Sequence, residues 1–203
     1  MRTALSFDDV LLVPQYSEIE SRKEILVKQN LRSVGNFGLP IISSPMDTVT
    51  GETMACAMAA AGGIGIIHRY NDMDDQAKVV MSVTSRGHIV GAAIGVGDDC
   101  IDRALFLSRA GVSFLCIDVA HGHHIKVRSA LETLREVLGD EMHIMAGNVA
   151  TLEAFNDLAD WGADSIRVGI EEVLSVPLAS RQDTVCQLCS RLWIAPSQTE
   201  TLH

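Results

Sequence analysis

From residue 39 onward, short apolar runs rich in Ile and Val alternate with longer stretches whose apolar positions recur at helical spacing. That alternation marks strand-helix units around a parallel sheet. The pattern predicts strands over Pro40 to Met46, Gly63 to His68, Val90 to Gly95, Phe114 to Ala120, His143 to Val149 and Ser165 to Ile170. Each run is nearly continuous in apolar side chains, as strands covered on both faces require. Helices are predicted between them over Gly51 to Ala61, Met73 to Arg86, Asp99 to Ala110, His124 to Leu138 and Thr151 to Trp161. Gly62, Gly87, Gly111 and Gly162 follow four of these, where a residue able to adopt positive φ ends a helix.

Periodicity alone leaves two architectures open, a closed barrel and an open doubly wound sheet. The open sheet would carry its glycine fingerprint after a first strand, whereas GAAIGVGDD at 91 to 99 lacks the GxGxxG spacing. The repeat of about 25 residues per unit matches the roughly 250 residues of eight units in a TIM barrel. The expected fold is therefore an α/β TIM barrel, truncated after about the sixth strand.

Composition narrows the function. A formal net charge of -10 and a pI near 5.0 exclude a surface of clustered Lys and Arg built for nucleic-acid phosphates. Five cysteines scattered through apolar segments do not form a disulfide framework, which fits a reducing cytoplasm. Asp8 and Asp9 interrupt the first apolar residues, so no secretory signal is expected, and no apolar run approaches the roughly 20 residues of a membrane span.

In a barrel, chemistry gathers at the C-terminal ends of strands, so polar residues there carry the information. Ser44, Met46 and Asp47 follow the first strand, His68 and Arg69 the second, Asp118 and His121 the fourth, and Asn148 the fifth, while Arg167 lies on the sixth. Taken singly, each could cap a helix or satisfy a loop. Asp118 stands out, because a carboxylate inside FLCIDVA is costly to bury without solvent, a ligand or a partner. His121, His123 and His124 could suggest a metal-dependent hydrolase, but a further ligand at helical spacing and a carboxylate base are missing, so no metal is expected.

With these residues in place, the chain resembles the IMP dehydrogenase/GMP reductase family from about Leu5 to Ile170. LSFDDVLLVPQYS is similar to its N-terminal arm, PIISSPMDTVTGETMACAMAAAGGIGIIHR to its first two strands, and GAAIGV, IDVAHGH, AGNVAT and IRVGI to the next four. The resemblance implies a homotetrameric oxidoreductase in which a cysteine thiolate attacks C2 of a purine nucleoside monophosphate and hydride passes to or from a nicotinamide dinucleotide. By the same resemblance Ser44, Met46, Asn148 and Arg167 bind the substrate nucleotide, and Asp118, Val119, Ala120 and His121 bind the cofactor.

SSPMDTVT and GGIGIIH resemble the dehydrogenase branch, which implies IMP and NAD. Ser21-Arg22-Lys23-Glu24, His68-Arg69-Tyr70 and Ser85-Arg86-Gly87 resemble the reductase branch, which implies GMP and NADP. The short connection from His68 to Val90 has no room for the regulatory CBS pair of most dehydrogenases. The dehydrogenase is the preferred branch.

After Ile170 the family continues with a loop of the form GxGSICxTR, which carries the cysteine, phosphate contacts and a monovalent cation site. Here the chain reads EEVLSVPLASRQDTVCQLCSRLW. Restoring one G before the codon for Glu171 lets permitted codons be read as GGGSICSTRIQTGHGVPTLQSIVDCA. The expected organisation is an N-terminal arm over 1–38, a partial barrel over 39–170, and a non-family tail over 171–203 that is out of frame. Catalytic residues are expected to be absent: Cys56 and Cys116 sit in apolar segments, and Cys186-Gln-Leu-Cys189 lacks the second pair of a zinc site. An inactive fragment that binds nucleotide or docks on intact subunits is the alternative from a different class.

Overall fold

The computed structural model describes residues 13–169 and the segment Trp193–Ile194. Cys186, Cys189 and the frame boundary at Ile170 lie outside the described residues. Val13 to Lys28 runs largely exposed, with a single 3-10 turn at Arg22–Glu24 whose Ser21 side chain accepts the Lys23 N–H. A short antiparallel hairpin follows, β1 (Gln29–Leu31) and β2 (Gly35–Phe37).

Strand and helix then alternate: β3 (Ile42–Ser43), α1 (Glu52–Ala60), β4 (Ile64–Ile67), α2 (Met73–Thr84), β5 (Val90–Ile94), α3 (Cys100–Arg109), β6 (Phe114–Asp118), α4 (Ile125–Leu138), β7 (His143–Val149), α5 (Leu152–Asp160) and β8 (Ser165–Val168). From β3 to β8 the strands are parallel, and their order in the sheet is their order in the chain. A doubly wound sheet would reverse direction at a switch point. Six parallel strands winding one way are a partial barrel, as the sequence predicts. The edge of β8 is met by β9 (Trp193–Ile194) running antiparallel, opposite in sense to the strands before it.

Period-two alternation divides the apolar residues between two cores. Outward from the sheet, Ile67, Val90, Ala92, Ile94, Leu115, Ile117, Ile144, Ala146 and Ile166 meet Val80, Val83, Leu107, Leu131, Leu134 and Leu158 of the helices. Inward, Ile64, Ile66, Ala93, Phe114, Cys116 and Met145 form the barrel interior. Leu31 and Phe37 of the hairpin belong to this inner cluster, so the hairpin plugs the N-terminal end of the barrel. That hairpin was not predicted. Its strands are three residues each, too short to show a period.

Helix ends follow local chemistry. Gly87 and Gly111 hold φ of +75° and +84° just beyond α2 and α3, where a side chain would be strained. Gly91 has a different reason: a Cβ there would fall on the ring of Phe114. Gly91→Val should therefore destabilise the fold by about 1–3 kcal/mol through overpacking, read as a lower urea midpoint.

His143 starts β7 on the inner side, 2% exposed. Its Nδ1 lies 2.9 Å from the Arg32 carbonyl and its Nε2 2.9 Å from Ser165 Oγ. A carbonyl only accepts, so Nδ1 carries the proton, and the serine hydroxyl donates to Nε2. Burial pushes the His143 pKa below its ordinary value, against the opposing charge of Asp164. The unfolded chain then takes up this proton near pH 6.5 while the folded chain resists it, so stability falls as pH drops below about 6.5 toward the lowered value. The urea midpoint should decline more steeply between pH 7 and pH 5 in the wild type than in His143→Gln, which keeps a donor and an acceptor but does not titrate.

Candidate functional site

The inward face of β6 runs Phe114, Cys116, Asp118, so the same alternation that buries the phenyl ring brings the carboxylate to the barrel interior at the strand's C-terminal end. Arg167 reaches it from β8: its Nη1 lies 2.5 Å from Asp118 Oδ1 and 3.7 Å from Cys116 Sγ. Both side chains are mostly buried, 19% exposed for Asp118 and 23% for Arg167. Gly147 lies between them on β7, and a Cβ there would stand 2.6 Å from Arg167 Cβ. The missing side chain is what lets the guanidinium cross.

Arg69, just beyond β4, closes the group from the other side. Its Nη2 donates to the Asp118 carbonyl at 3.4 Å, and its Nη1 lies where Gly95 leaves room. Its Nε is buried and has no hydrogen-bond partner among the described residues. Sequence reasoning placed Arg69 at a strand end but gave it no role; the signal available was an arginine directly following an apolar strand.

Asn148 holds the end of β7 in three ways. Its Nδ2 donates to the Gly169 carbonyl at 2.8 Å, its N–H to the Val119 carbonyl at 3.0 Å, and its own carbonyl accepts the Gly122 N–H at 2.7 Å. With the Val119 N–H on the Gly147 carbonyl at 3.1 Å, the loop after β6 remains zipped to β7 beyond the strand itself. Val119 packs its side chain into the helix-side core, whereas Ala120 and His121 are exposed.

Ser44 and Met46 lie at the same barrel end in the loop after β3, bonded within that loop. Thr50 Oγ1 donates to the Ser44 carbonyl at 2.5 Å and lies 3.0 Å from Ser43 Oγ, and the Met46 N–H meets the Ser44 carbonyl at 2.8 Å. Asp118, Arg167, Arg69 and Asn148 are thus linked directly or through one strand, and Ser44 and Met46 stand on a separate loop.

Cys116 lies beside this pair and Cys100 in the helix-side core, and neither has the character of a nucleophile. Burial pushes the Cys116 thiol up to about 11, with Arg167 opposing and Asp118 adding, and burial raises Cys100 to about 11 as well. Both are protonated at neutral pH, whereas the attacking species would be a thiolate. Of the histidines after β6, His123 and His124 have separate hydrogen-bond partners and His121 is exposed. His123 meets Asp157, His124 Nδ1 accepts the Lys126 N–H at 3.1 Å, and no group of three or more metal-capable side chains forms among the described residues.

The Asp118–Arg167 pair should behave as a coupled unit. Removing the cation alone in Arg167→Met leaves a mostly buried carboxylate and should cost about 2 kcal/mol, between the values for exposed and fully buried pairs. Adding Asp118→Asn should recover part of that loss, which a double-mutant cycle on urea midpoints would read as a nonzero coupling energy.

Residues 4–172 match the model of the IMP dehydrogenase / GMP reductase domain. The inosine-5'-monophosphate dehydrogenase of Cryptosporidium parvum is 36% identical over 210 positions, covering 82% of this chain and 51% of that protein. The GMP reductase of Mycoplasma mycoides is 32% identical over 167 positions, covering 81% and 51%. The GMP reductase of Leptothrix cholodnii is 36% identical over 166 positions, covering 81% and 50%. Nearly the same share of this chain takes many more positions to align with the dehydrogenase than with the reductases, so the dehydrogenase carries intervening residues absent here. The chain spans about half the length of these relatives. With the family model matched over most of its residues, and six parallel strands in barrel order, this chain belongs to the IMP dehydrogenase/GMP reductase family.

Proposed function

We propose that this polypeptide carries the nucleotide and cofactor walls of an NAD(P)-linked oxidoreductase acting at C2 of a purine nucleoside monophosphate, with the dehydrogenase reaction, IMP to XMP, as the preferred direction. The observation that supports it most is the convergence of Asp118, Arg167 and Arg69 at the inner ends of β6, β8 and β4. A carboxylate with a second oxygen to offer suits the hydroxyls of a riboside, and the unpartnered Arg69 Nε suits an acceptor on a ligand. The donor set therefore fits a dinucleotide. In this reading Asp118, Val119, Ala120 and His121 bind NAD, Ser44 and Met46 bind the substrate nucleotide, and Asn148 and Arg167 orient its purine. The dinucleotide would supply the hydride acceptor; the chain's own residues orient the two rings and balance charge.

The nucleophile is a separate matter. The residues after Ile170 do not contain the family's cysteine loop, but they decode into it with one restored base, and the family match stops at residue 172. We therefore read residues 171–203 as translated out of register and the 203-residue chain as catalytically inactive. The loop that would carry the monovalent cation lies in the same stretch, outside the described residues. Assembly into a homotetramer and a cytoplasmic location belong to the restored protein in this reading. Among the described residues no helix is long and apolar enough to cross a membrane.

One observation favours GMP reduction with NADPH as a second reading: the reductases align without the intervening residues of the dehydrogenase. Assays of both proteins separate the possibilities. The 203-residue chain should show no hydride transfer with IMP and NAD or with GMP and NADPH, followed by reduced-nicotinamide absorbance. The frame-restored protein should reduce NAD with IMP; NADPH oxidation with GMP would establish the second reading, and activity in neither direction would refute both. In the active protein Asp118→Asn should raise the dinucleotide KM about tenfold or more, the loss of a charge-assisted hydrogen bond.

A further inference from the structure

The three histidines that follow β6 invite a metal or catalytic reading, yet two of them are engaged in different places. His124 caps α4 through Nδ1. His121 is exposed, with its ring 6.4 Å from that of His124. His123 instead meets α5: its Nε2 lies 2.7 Å from Asp157 Oδ2, and its ring stacks on Trp161 at 5.7 Å between centroids and 27° between planes. A carboxylate only accepts, so Nε2 carries a proton and donates.

The loop bearing His123 is fixed on its other side by backbone. Gly122 donates to the Asn148 carbonyl, and a Cβ on Gly122 would come within 2.8 Å of that oxygen, so the loop lies flush against the end of β7. The next residue has to leave this contact, and its side chain reaches the helix that follows β7. One loop is therefore held twice by the same β7-α5 unit, by main chain at the strand end and by a side chain at the helix.

We propose that His123 is a positioning residue: through Asp157 and Trp161 it anchors the loop from Val119 to His124 onto α5, and so couples the proposed cofactor wall to the strand end that carries Asn148. The link to the cofactor rests on the reading given above; the anchor itself does not. Partly exposed ion pairs of this kind, here 31% and 41% exposed, contribute little to global stability. The expected effect of losing it is local opening of the loop rather than unfolding of the barrel.

Amide hydrogen exchange on the 203-residue chain reads this difference directly. In His123→Ala the Gly122 and Asn148 amides should exchange about tenfold faster, while Ala92 and Ala93 on β5 keep wild-type rates. Asp157→Asn, which retains an acceptor for Nε2–H, should preserve most of the protection, and Asp157→Leu should lose it. Unchanged Gly122 exchange in His123→Ala, or an acceleration shared equally by Ala92 and Ala93, would overturn the proposal. A fluorescence titration with NADH tests the other half: weaker binding by His123→Ala than by the wild type supports the cofactor assignment of the loop. A wild-type chain that does not bind NADH at all counts against that assignment, and the exchange rates still decide the anchor.

Discussion

A carboxylate on the inner face of a parallel strand has nowhere to retreat. The alternation that sends Leu115 and Ile117 to the helices sends Phe114, Cys116 and Asp118 into the barrel, and two of those three need an apolar interior. Asp118 is tolerable there because Arg167 crosses from β8 to meet it, and Arg167 can cross only because position 147 has no side chain. Further hydrogen bonds join the strand ends around this pair. Arg69 donates to the Asp118 main-chain carbonyl, the loop after β6 zips to β7, and Asn148 ties that zip to the end of β8.

The same alternation explains why the described sheet has two cores. Helices α1 to α5 cover its outer face, and the β1-β2 hairpin pushes Leu31 and Phe37 into the inner one from below. His143 is the joint between hairpin and sheet, holding the Arg32 carbonyl with one ring nitrogen and Ser165 with the other. The proposed site lies at the opposite end, where the polar side chains of Asp118, Asn148 and Arg167 stand at the strand ends. This agrees with the general division in barrels, where functional groups gather at the C-terminal ends of the strands.

Much of this was legible in the sequence, for reasons of range. Helix ends at Gly87 and Gly111 and strand runs such as FLCID are local decisions, and their boundaries fall within a few residues of prediction. The first strand is shorter than predicted: it spans Ile42–Ser43, bounded by Pro40 and Pro45, which have no N–H for a ladder. Long-range pairings could not be read. Asp118 and Arg167 carry separate expectations, one toward cofactor and one toward substrate, yet they form a single ion pair across 49 residues of chain. The Asp157 partner of His123 was equally invisible, because nothing in HGHH says which helix will lie beside it.

The proposed inactivity of the 203-residue chain depends on the residues beyond Ile170 being a family loop displaced by one base. The direct measurement is resequencing of the coding region across codon 171. An additional G before the Glu171 codon, with GGGSICSTR and further barrel units following in frame, is the predicted result. A confirmed 203-codon frame whose bases cannot be read as that loop would contradict it.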